Sequence, residues 1–145
     1  MRIKRFLGPF VDVPVYGSVA LLILRLIAGI GFAMHGWGKI QHPMSWMGPQ
    51  STIPGFFQLL AAVSEFGGGL AWIVGLLTPL ASLGIAFTMA VAVYMQVVVF
   101  KAPFVASTPG ENSYELAAVF LGVALVLLAI GPGRFSLDKV LFRRW

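Results

Sequence analysis

Four long runs of apolar residues constrain this chain more than any other feature of its sequence. They cover residues 15–37, 55–77, 80–100 and 114–130, and each is close to the twenty residues that a helix needs to cross about 30 Å of hydrocarbon. Charged residues make up only 10% of the chain, against about a quarter in soluble domains, which excludes a water-soluble enzyme fold. The sequence therefore predicts an all-α membrane protein, a four-transmembrane-helix bundle that forms a single domain over residues 1–145.

Turn-forming residues separate these runs and join them in pairs. Pro43, Pro49 and Pro54 lie in the long first loop, so neither neighbouring helix is expected to continue through it. Thr78 and Pro79 form a very short connection, and a proline suits the first turn of the helix that follows. The predicted architecture is two helical hairpins.

Basic residues set the expected orientation. Seven of the ten Lys and Arg lie before the first run or after the last, whereas only Lys39 and Lys101 lie in the two long loops between runs. By the positive-inside rule, both termini are predicted to be cytoplasmic. This distribution also accounts for the net charge of +5, so no nucleic-acid partner is expected. The two ends, residues 1–14 and 136–145, are amphipathic and are expected to lie on the inner membrane surface.

Ionisable residues inside the apolar runs are the strongest candidates for function, because a charge in mid-bilayer costs at least about 2.5–3.5 kcal/mol. Arg25 and Glu65 each lie near the middle of a run, so an ion pair between them at the midplane is open; it would either lock two helices or line a site. His35 and Glu115 lie in the outer half. His35 has three open roles: capping a loop, bonding Glu115, or binding a ligand.

These polar residues predict a pocket that opens outward and binds a polar head group. Its expected lining is Arg25, His35, Lys39, Glu65, Gln96, Tyr114 and Glu115. With two histidines and no cysteine, neither a haem nor a protein-only metal site is expected, and no thiol redox pair can form.

Small residues predict close helix packing in lipid, where they let two backbones approach each other. The glycines expected at such contacts are Gly29, Gly67, Gly68, Gly69 and Gly122.

A set of motifs spread over all four runs resembles the DoxX family, and the resemblance covers about residues 25–141. The matching residues are Arg25-Leu26, Gly29, Phe32, His35-Gly36, Lys39, Glu65, Gly68-Gly69, Gly75-Leu76-Leu77-Thr78-Pro79, Gly110, Asn112, Tyr114-Glu115-Leu116, Gly131-Pro132-Gly133 and Ser136-Leu137-Asp138. The resemblance implies a small four-helix protein of the bacterial cytoplasmic (inner) membrane. It also implies a link to redox work, since the family takes its name from a subunit of a thiosulfate:quinone oxidoreductase.

Three functions follow as hypotheses. The preferred one is a redox-associated, quinone-linked membrane subunit, with no intrinsic cofactor, a quinone as candidate ligand, and a partner protein or second copy beside it in the bilayer. On this hypothesis a partner supplies the redox centre, and His35 and Glu115 are suitable acid and base groups. The second is a non-enzymatic assembly or anchoring subunit, in which the polar residues hold the bundle together. The third is a transporter of small molecules or lipids, which is disfavoured because no inverted repeat is obvious.

Overall fold

The computed structural model describes residues 12–142, and within that range the chain is helical and contains no β-strand. The helices are α1 (Val15–Gln41), α2 (Gly55–Val74), α3 (Thr78–Tyr94), α4 (Glu115–Ile130) and α5 (Leu137–Phe142), with one π-helical turn (Met95–Val99) continuing α3. The predicted all-α class is confirmed. The first eleven residues of the predicted amphipathic N-terminal segment lie outside the described residues.

Three of the helical segments are long and apolar enough to cross a membrane: Val15–Gln41, Gly55–Val74 and Thr78–Val99. The fourth, Glu115–Ile130, is a shorter apolar helix of 16 residues. Many of their bulky apolar side chains point away from the bundle and are exposed, as expected of a surface that faces lipid. That the chain crosses the membrane four times, with both termini in the cytoplasm, remains a prediction.

Local chemistry explains where α2 stops and α3 begins. Gly75 follows α2 with a φ of +69°, a left-handed conformation that glycine adopts without steric cost. The amide of Leu76 reaches back to the carbonyl of Ala71 at 3.0 Å, which closes the helix end as in a Schellman motif. Pro79 lies in the first turn of α3, as predicted. The connection between these two helices is therefore only three residues long.

Aromatic rings form the centre of the bundle. Phe32 of α1 contacts Trp72 of α2 and Phe120 of α4 edge-on, with ring centroids 5.6 and 4.5 Å apart. Trp72 is fully buried, and its indole N–H donates to the Ser82 hydroxyl of α3 at 3.0 Å, so its polar atom is satisfied. One buried layer thus draws residues from all four long helices.

The antiparallel contact between α1 and α2 depends on glycine. A Cβ at Gly29 or Gly69 would overlap the backbone of the facing helix, and a Cβ at Gly36 would overlap the backbone of Phe66. Gly68 faces Ile85 of α3, where an added Cβ would also be too close. The α1–α2 pair therefore packs with backbones in near contact.

Two of the predicted packing glycines do not fit this scheme. Gly67 is exposed and would meet only Val63 of its own helix, and Gly122 is exposed with open space around it. The prediction that these two glycines pack helices together is wrong for the described part of the chain. An almost uniformly apolar helix does not reveal from spacing alone which small residue faces a neighbour.

Candidate functional site

The buried ionisable residues form two separate layers at opposite ends of the bundle. Arg25 and Lys39 lie fourteen positions apart on α1, which is about 21 Å along a helix axis. We call these two regions the Arg25 end and the Lys39 end. The Arg25–Glu65 ion pair that the sequence left open does not form, since Arg25 binds the carbonyls of Trp72 and Phe135 and Glu65 pairs with Lys39.

At the Arg25 end, the guanidinium of Arg25 is fully buried and binds two backbone carbonyls. Its Nη1 donates to the carbonyl of Trp72 at 3.0 Å, and its Nη2 donates to the carbonyl of Phe135. Trp72 lies in the last turn of α2, where carbonyls lack partners within the helix and where the helix dipole favours a positive charge. Arg25 thus joins α1, the end of α2 and the segment after α4.

Asp138 of α5 completes this layer from the other side. Its carboxylate is 1% exposed and accepts hydrogen bonds from the amides of Leu77 at 2.6 Å and Thr78 at 2.8 Å. These amides belong to the start of α3, so Asp138, sixty positions after Thr78 in the chain, caps the amino end of α3. The Asp138 amide in turn donates to the Gly75 carbonyl at 2.9 Å, and its carboxylate attracts Arg25 electrostatically.

Gly75 leaves no room for a side chain in this cluster. A Cβ there would collide with the Arg25 guanidinium and with the Cβ of Ser136, and its φ is positive. Ser136 is itself buried, and its hydroxyl accepts from the Lys139 amide at 3.2 Å. The Arg25 end therefore requires glycine at position 75 for both backbone conformation and space.

At the Lys39 end, the ammonium of Lys39 bridges both oxygens of the Glu65 carboxylate at 2.6 and 2.7 Å. The Glu65 side chain is 4% exposed and that of Lys39 is 27% exposed, so the acid is buried beneath the base. The same ammonium lies 4.4 Å from the centre of the Trp46 ring, a cation–π contact. Both charges thus have partners within the chain.

The loop between α1 and α2 is fixed to this end by Gln58. The Oε1 atom of the Gln58 side chain accepts from the backbone amide of Met47 at 3.1 Å, and its Nε2 atom donates to the backbone carbonyl of Ile53 at 2.9 Å. The Trp46 indole N–H donates to the Gln58 carbonyl at 2.9 Å. The Gln58 backbone carbonyl therefore holds the Trp46 ring beside Lys39, while the buried Gln58 side chain, which the predicted site did not include, fixes the loop on both sides of Trp46.

The other predicted pocket residues do not join either layer. His35 and Glu115 are exposed. Tyr114 packs its ring against Phe104 at 5.1 Å. Gln96 lies in the π-helical turn, and its Oε1 is buried without a hydrogen-bond partner among the described residues. The predicted lining is thus divided among the two ends, the half-buried Gln96 and Tyr114, and the exposed His35 and Glu115, and the described side chains do not form the single pocket expected.

An apolar layer separates the two ends. Phe32 lies seven positions from both Arg25 and Lys39, or about 10 Å along α1 from each. The fully buried side chains packed with it are apolar, apart from the Trp72–Ser82 bond. The buried polar groups do not form a continuous path from one end to the other through the described residues.

The cavity of about 680 Å³ between α2 and α3 contains none of the predicted site residues. It opens on the exposed side of the two helices, and its lining is almost wholly apolar. The residues that line it are Ile53, Phe57, Leu60, Ala61, Ser64, Leu80, Leu83, Gly84, Phe87, Thr88 and Val91. Within residues 12–142, no three His, Asp or Glu side chains gather into a group that could hold a metal ion.

The missed features had signals in the sequence. Asp138 follows a Gly-Pro-Gly stop within a short segment, and Gly75 lies three positions before a Thr-Pro pair, yet nothing in their spacing shows that they meet. Gln58 falls on the same helical face as Glu65, which indicated burial but not the loop that it holds.

Comparisons with known proteins agree on one relationship. The DoxX family model matches residues 20–100, which is more than half of the chain. The inner membrane protein YqjF of Escherichia coli strain K12 is 35% identical over 137 residues, a match that covers 88% of this chain and 96% of that protein. No solved structure gives a significant match.

Proposed function

The chain belongs to the DoxX family of integral inner-membrane proteins, and from this premise we propose that it is a membrane scaffold subunit of a quinone-linked redox system. In this proposal a partner protein carries the redox centre. The bundle contributes a rigid, lipid-embedded surface on which the partner assembles.

The pairing of the buried charges carries the scaffold part of this proposal. Arg25 is bound to two carbonyls, Asp138 to two amides, and Glu65 to the Lys39 ammonium. A group that acts as general acid or base must reach its substrate, and each of these side chains is already held by neighbours within the chain. Their arrangement suits holding the helices together, and it specifies the register in which the helices pack.

The redox part of the proposal rests on the family resemblance. The side chains expected to line a quinone pocket do not converge, so they do not fit a quinone head group, and we derive no chemical step through a quinone held by this chain. The quinone-reacting site is assigned to the partner instead.

We further propose four membrane crossings with the Arg25 end in the cytoplasm. Helix α4 spans about 24 Å, so its loop residues would need to enter the interface. The exposed Arg134 and the partly exposed Lys139 lie at the Arg25 end, in agreement with the positive-inside rule. In this cysteine-free chain, single Lys101→Cys and Lys139→Cys variants can be tested with a membrane-impermeant maleimide on intact cells. We expect the reagent to label position 101 and not position 139. Labelling of position 139 alone would show that the Arg25 end faces the outside.

A transporter role receives less support. The apolar layer around Phe32 and Trp72 would have to open before a polar solute could pass between the two ends. Uptake of a solute into vesicles that contain only this protein would overturn the scaffold proposal.

The decisive experiment is mild-detergent purification of the tagged protein from its native host, followed by identification of the proteins and quinones that accompany it. A redox protein should co-purify, and the quinone should follow that partner when the two are separated by salt or stronger detergent. The His35→Gln variant, which changes one side chain of the expected quinone pocket, should fold normally. The proposal fails if the isolated chain retains quinone in a stoichiometric amount and His35→Gln abolishes that binding.

A further inference from the structure

The loop between α1 and α2 carries three side chains whose donor atoms bind soft metal ions. His42, Met44 and Met47 lie within six positions, in the order His-x-Met-x-x-Met. The Met44 side chain is 58% exposed, that of Met47 is 39% exposed, and His42 is exposed as well. These side chains take no part in the buried charge layers at either end of the bundle, so neither layer accounts for them.

Backbone hydrogen bonds fold this part of the loop tightly. The Ser45 amide donates to the His42 carbonyl and the Gly48 amide donates to the Ser45 carbonyl, both at 3.0 Å. Each bond closes a four-residue turn, whose first and last Cα atoms lie less than about 7 Å apart. Met44 and Met47 hold the third position of these two successive turns. The three donor side chains therefore leave a short, folded piece of backbone.

The same backbone is fixed to the first turn of α2. A Cβ at Gly55 would lie 2.9 Å from the Met44 carbonyl oxygen, so the loop and the helix are in close contact there. Three positions later, on the same side of α2, the Gln58 side chain accepts from the Met47 amide. A methionine side chain has three rotatable bonds, so the two sulfurs can converge on one ion without movement of this anchored backbone.

The donor atoms determine which ion this loop suits. Thioether sulfur is a soft ligand that selects Cu(I), and imidazole also binds copper, whereas Mg²⁺, Ca²⁺ and Mn²⁺ prefer oxygen ligands. Residues 42–54 include no Asp, Glu or Cys, so the loop offers hard cations no carboxylate and offers zinc no thiolate. The Lys39 ammonium beside Trp46 is paired with Glu65, and that pair has no net charge to repel a cation.

We propose that His42, Met44 and Met47 form a binding site for a soft monovalent metal ion, Cu(I) or its chemical analogue Ag(I). Two thioether sulfurs and one imidazole nitrogen supply the ligands, and the ion binds at the surface of the loop. The Met47 sulfur accepts only a weak hydrogen bond, from the Ser51 hydroxyl at 3.8 Å, which the ion replaces. Thioethers are a donor class apart from the histidines and thiols on which the sequence gives no reason to expect a metal. The site does not depend on the redox partner.

The methionine methyl groups give a direct test, because the chain has only six methionines. The full-length protein, with isotope-labelled methionine methyl groups, is titrated in detergent and chloride-free buffer with silver nitrate, and its nuclear magnetic resonance spectra are recorded. Ag(I) is the probe because it stays in one oxidation state in air. The methyl signals of Met44 and Met47 should shift together and stop shifting at one equivalent of Ag(I). The signal of Met34, which is 74% exposed on α1, should stay in place.

Matched variants identify the ligands. Met44→Leu and Met47→Leu keep the apolar volume but remove the sulfur, and each should weaken Ag(I) binding by about tenfold or more. His42→Gln should also weaken it, whereas the control Met34→Leu should leave the affinity unchanged. Because these side chains are exposed, every variant should keep the circular dichroism and thermal stability of the unaltered chain.

Three results would overturn the proposal. If the methyl signals of Met44 and Met47 do not shift, the loop does not bind the ion. If the Met34 signal shifts at the same Ag(I) concentrations, silver binds any exposed thioether and the loop has no specific site. An unchanged affinity in the double variant Met44→Leu with Met47→Leu would assign the ion to other groups.

Discussion

Replacing Asp138 should destabilise the whole bundle, because one carboxylate serves three segments of the chain. The Asp138→Ala change leaves the amides of Leu77 and Thr78 without acceptors in a site that water does not reach, since the side chain is 1% exposed. Hydrogen bonds to charged groups contribute about 1.5–3 kcal/mol each. Arg25 also loses the carboxylate that attracts it. We expect the free energy of unfolding to fall by about 3–5 kcal/mol.

A conservative variant separates the contribution of the hydrogen bonds from that of the negative charge. Asp138→Asn keeps one carbonyl oxygen that can accept an amide hydrogen bond but removes the charge, so about half of the loss should remain. The assay is reversible unfolding of the purified protein in mixed detergent and dodecyl sulfate, followed by far-ultraviolet circular dichroism. Asp12→Ala is the control, because that carboxylate is 72% exposed and its surface ion pair with Arg134 should contribute no more than about 0.5 kcal/mol. The reasoning would be refuted if Asp138→Ala were no more costly than Asp12→Ala.

Three further changes test other contacts by the same unfolding assay. Gly36→Ala should lower the free energy of unfolding by about 1–3 kcal/mol, because the added methyl group overlaps the backbone of α2. Gly122→Ala, where the methyl group has open space, should be neutral or slightly stabilising. Equal effects of the two changes would contradict the packing described. Glu65→Leu alone should cost about 3 kcal/mol by stranding the Lys39 ammonium, and Lys39→Met added to it should recover most of that loss; additive losses would show that the pair is not coupled. His35→Gln should change stability by no more than about 0.5 kcal/mol, since the side chain is exposed, and a larger loss would indicate a structural role.

The positions of the helices could be read from the sequence because length, apolar composition and turn residues act locally. The first predicted run began at residue 15, where α1 begins, and the fourth ended at residue 130, where α4 ends. Helix α1 continues four residues beyond the predicted run, to Gln41. Helical hydrogen bonds within one chain continue past the hydrocarbon limit until Pro43 prevents them.

The partners of the buried charges could not be read in the same way. Placing the middle of every helix at the same depth put Arg25 opposite Glu65. In the structure α1 has 27 residues and α2 has 20, and the glycine contacts set their stagger so that Gly36 faces Phe66. This stagger brings Arg25 to the end of α2 and brings Lys39 level with Glu65. The stagger of two apolar helices depends on which small residues meet, and that is a property of the pair.

The same stagger explains why the polar residues of this bundle serve stability at its ends. A charge beside a helix end finds carbonyls or amides that have no partner within the helix, whereas a charge beside mid-helix finds backbone groups already bonded. Asp138 meets the amide end of α3 and supplies the acceptor for the Leu77 and Thr78 amides. Arg25 meets the carbonyl end of α2, where the Trp72 carbonyl accepts from the guanidinium as well as from the Gly75 amide. His35 lies within α1, six positions before its last residue, and Glu115 is the first residue of α4; both side chains remain exposed. Because an exposed ionisable group in hydrocarbon is costly, a partner that covered either side chain within the bilayer would remove that cost.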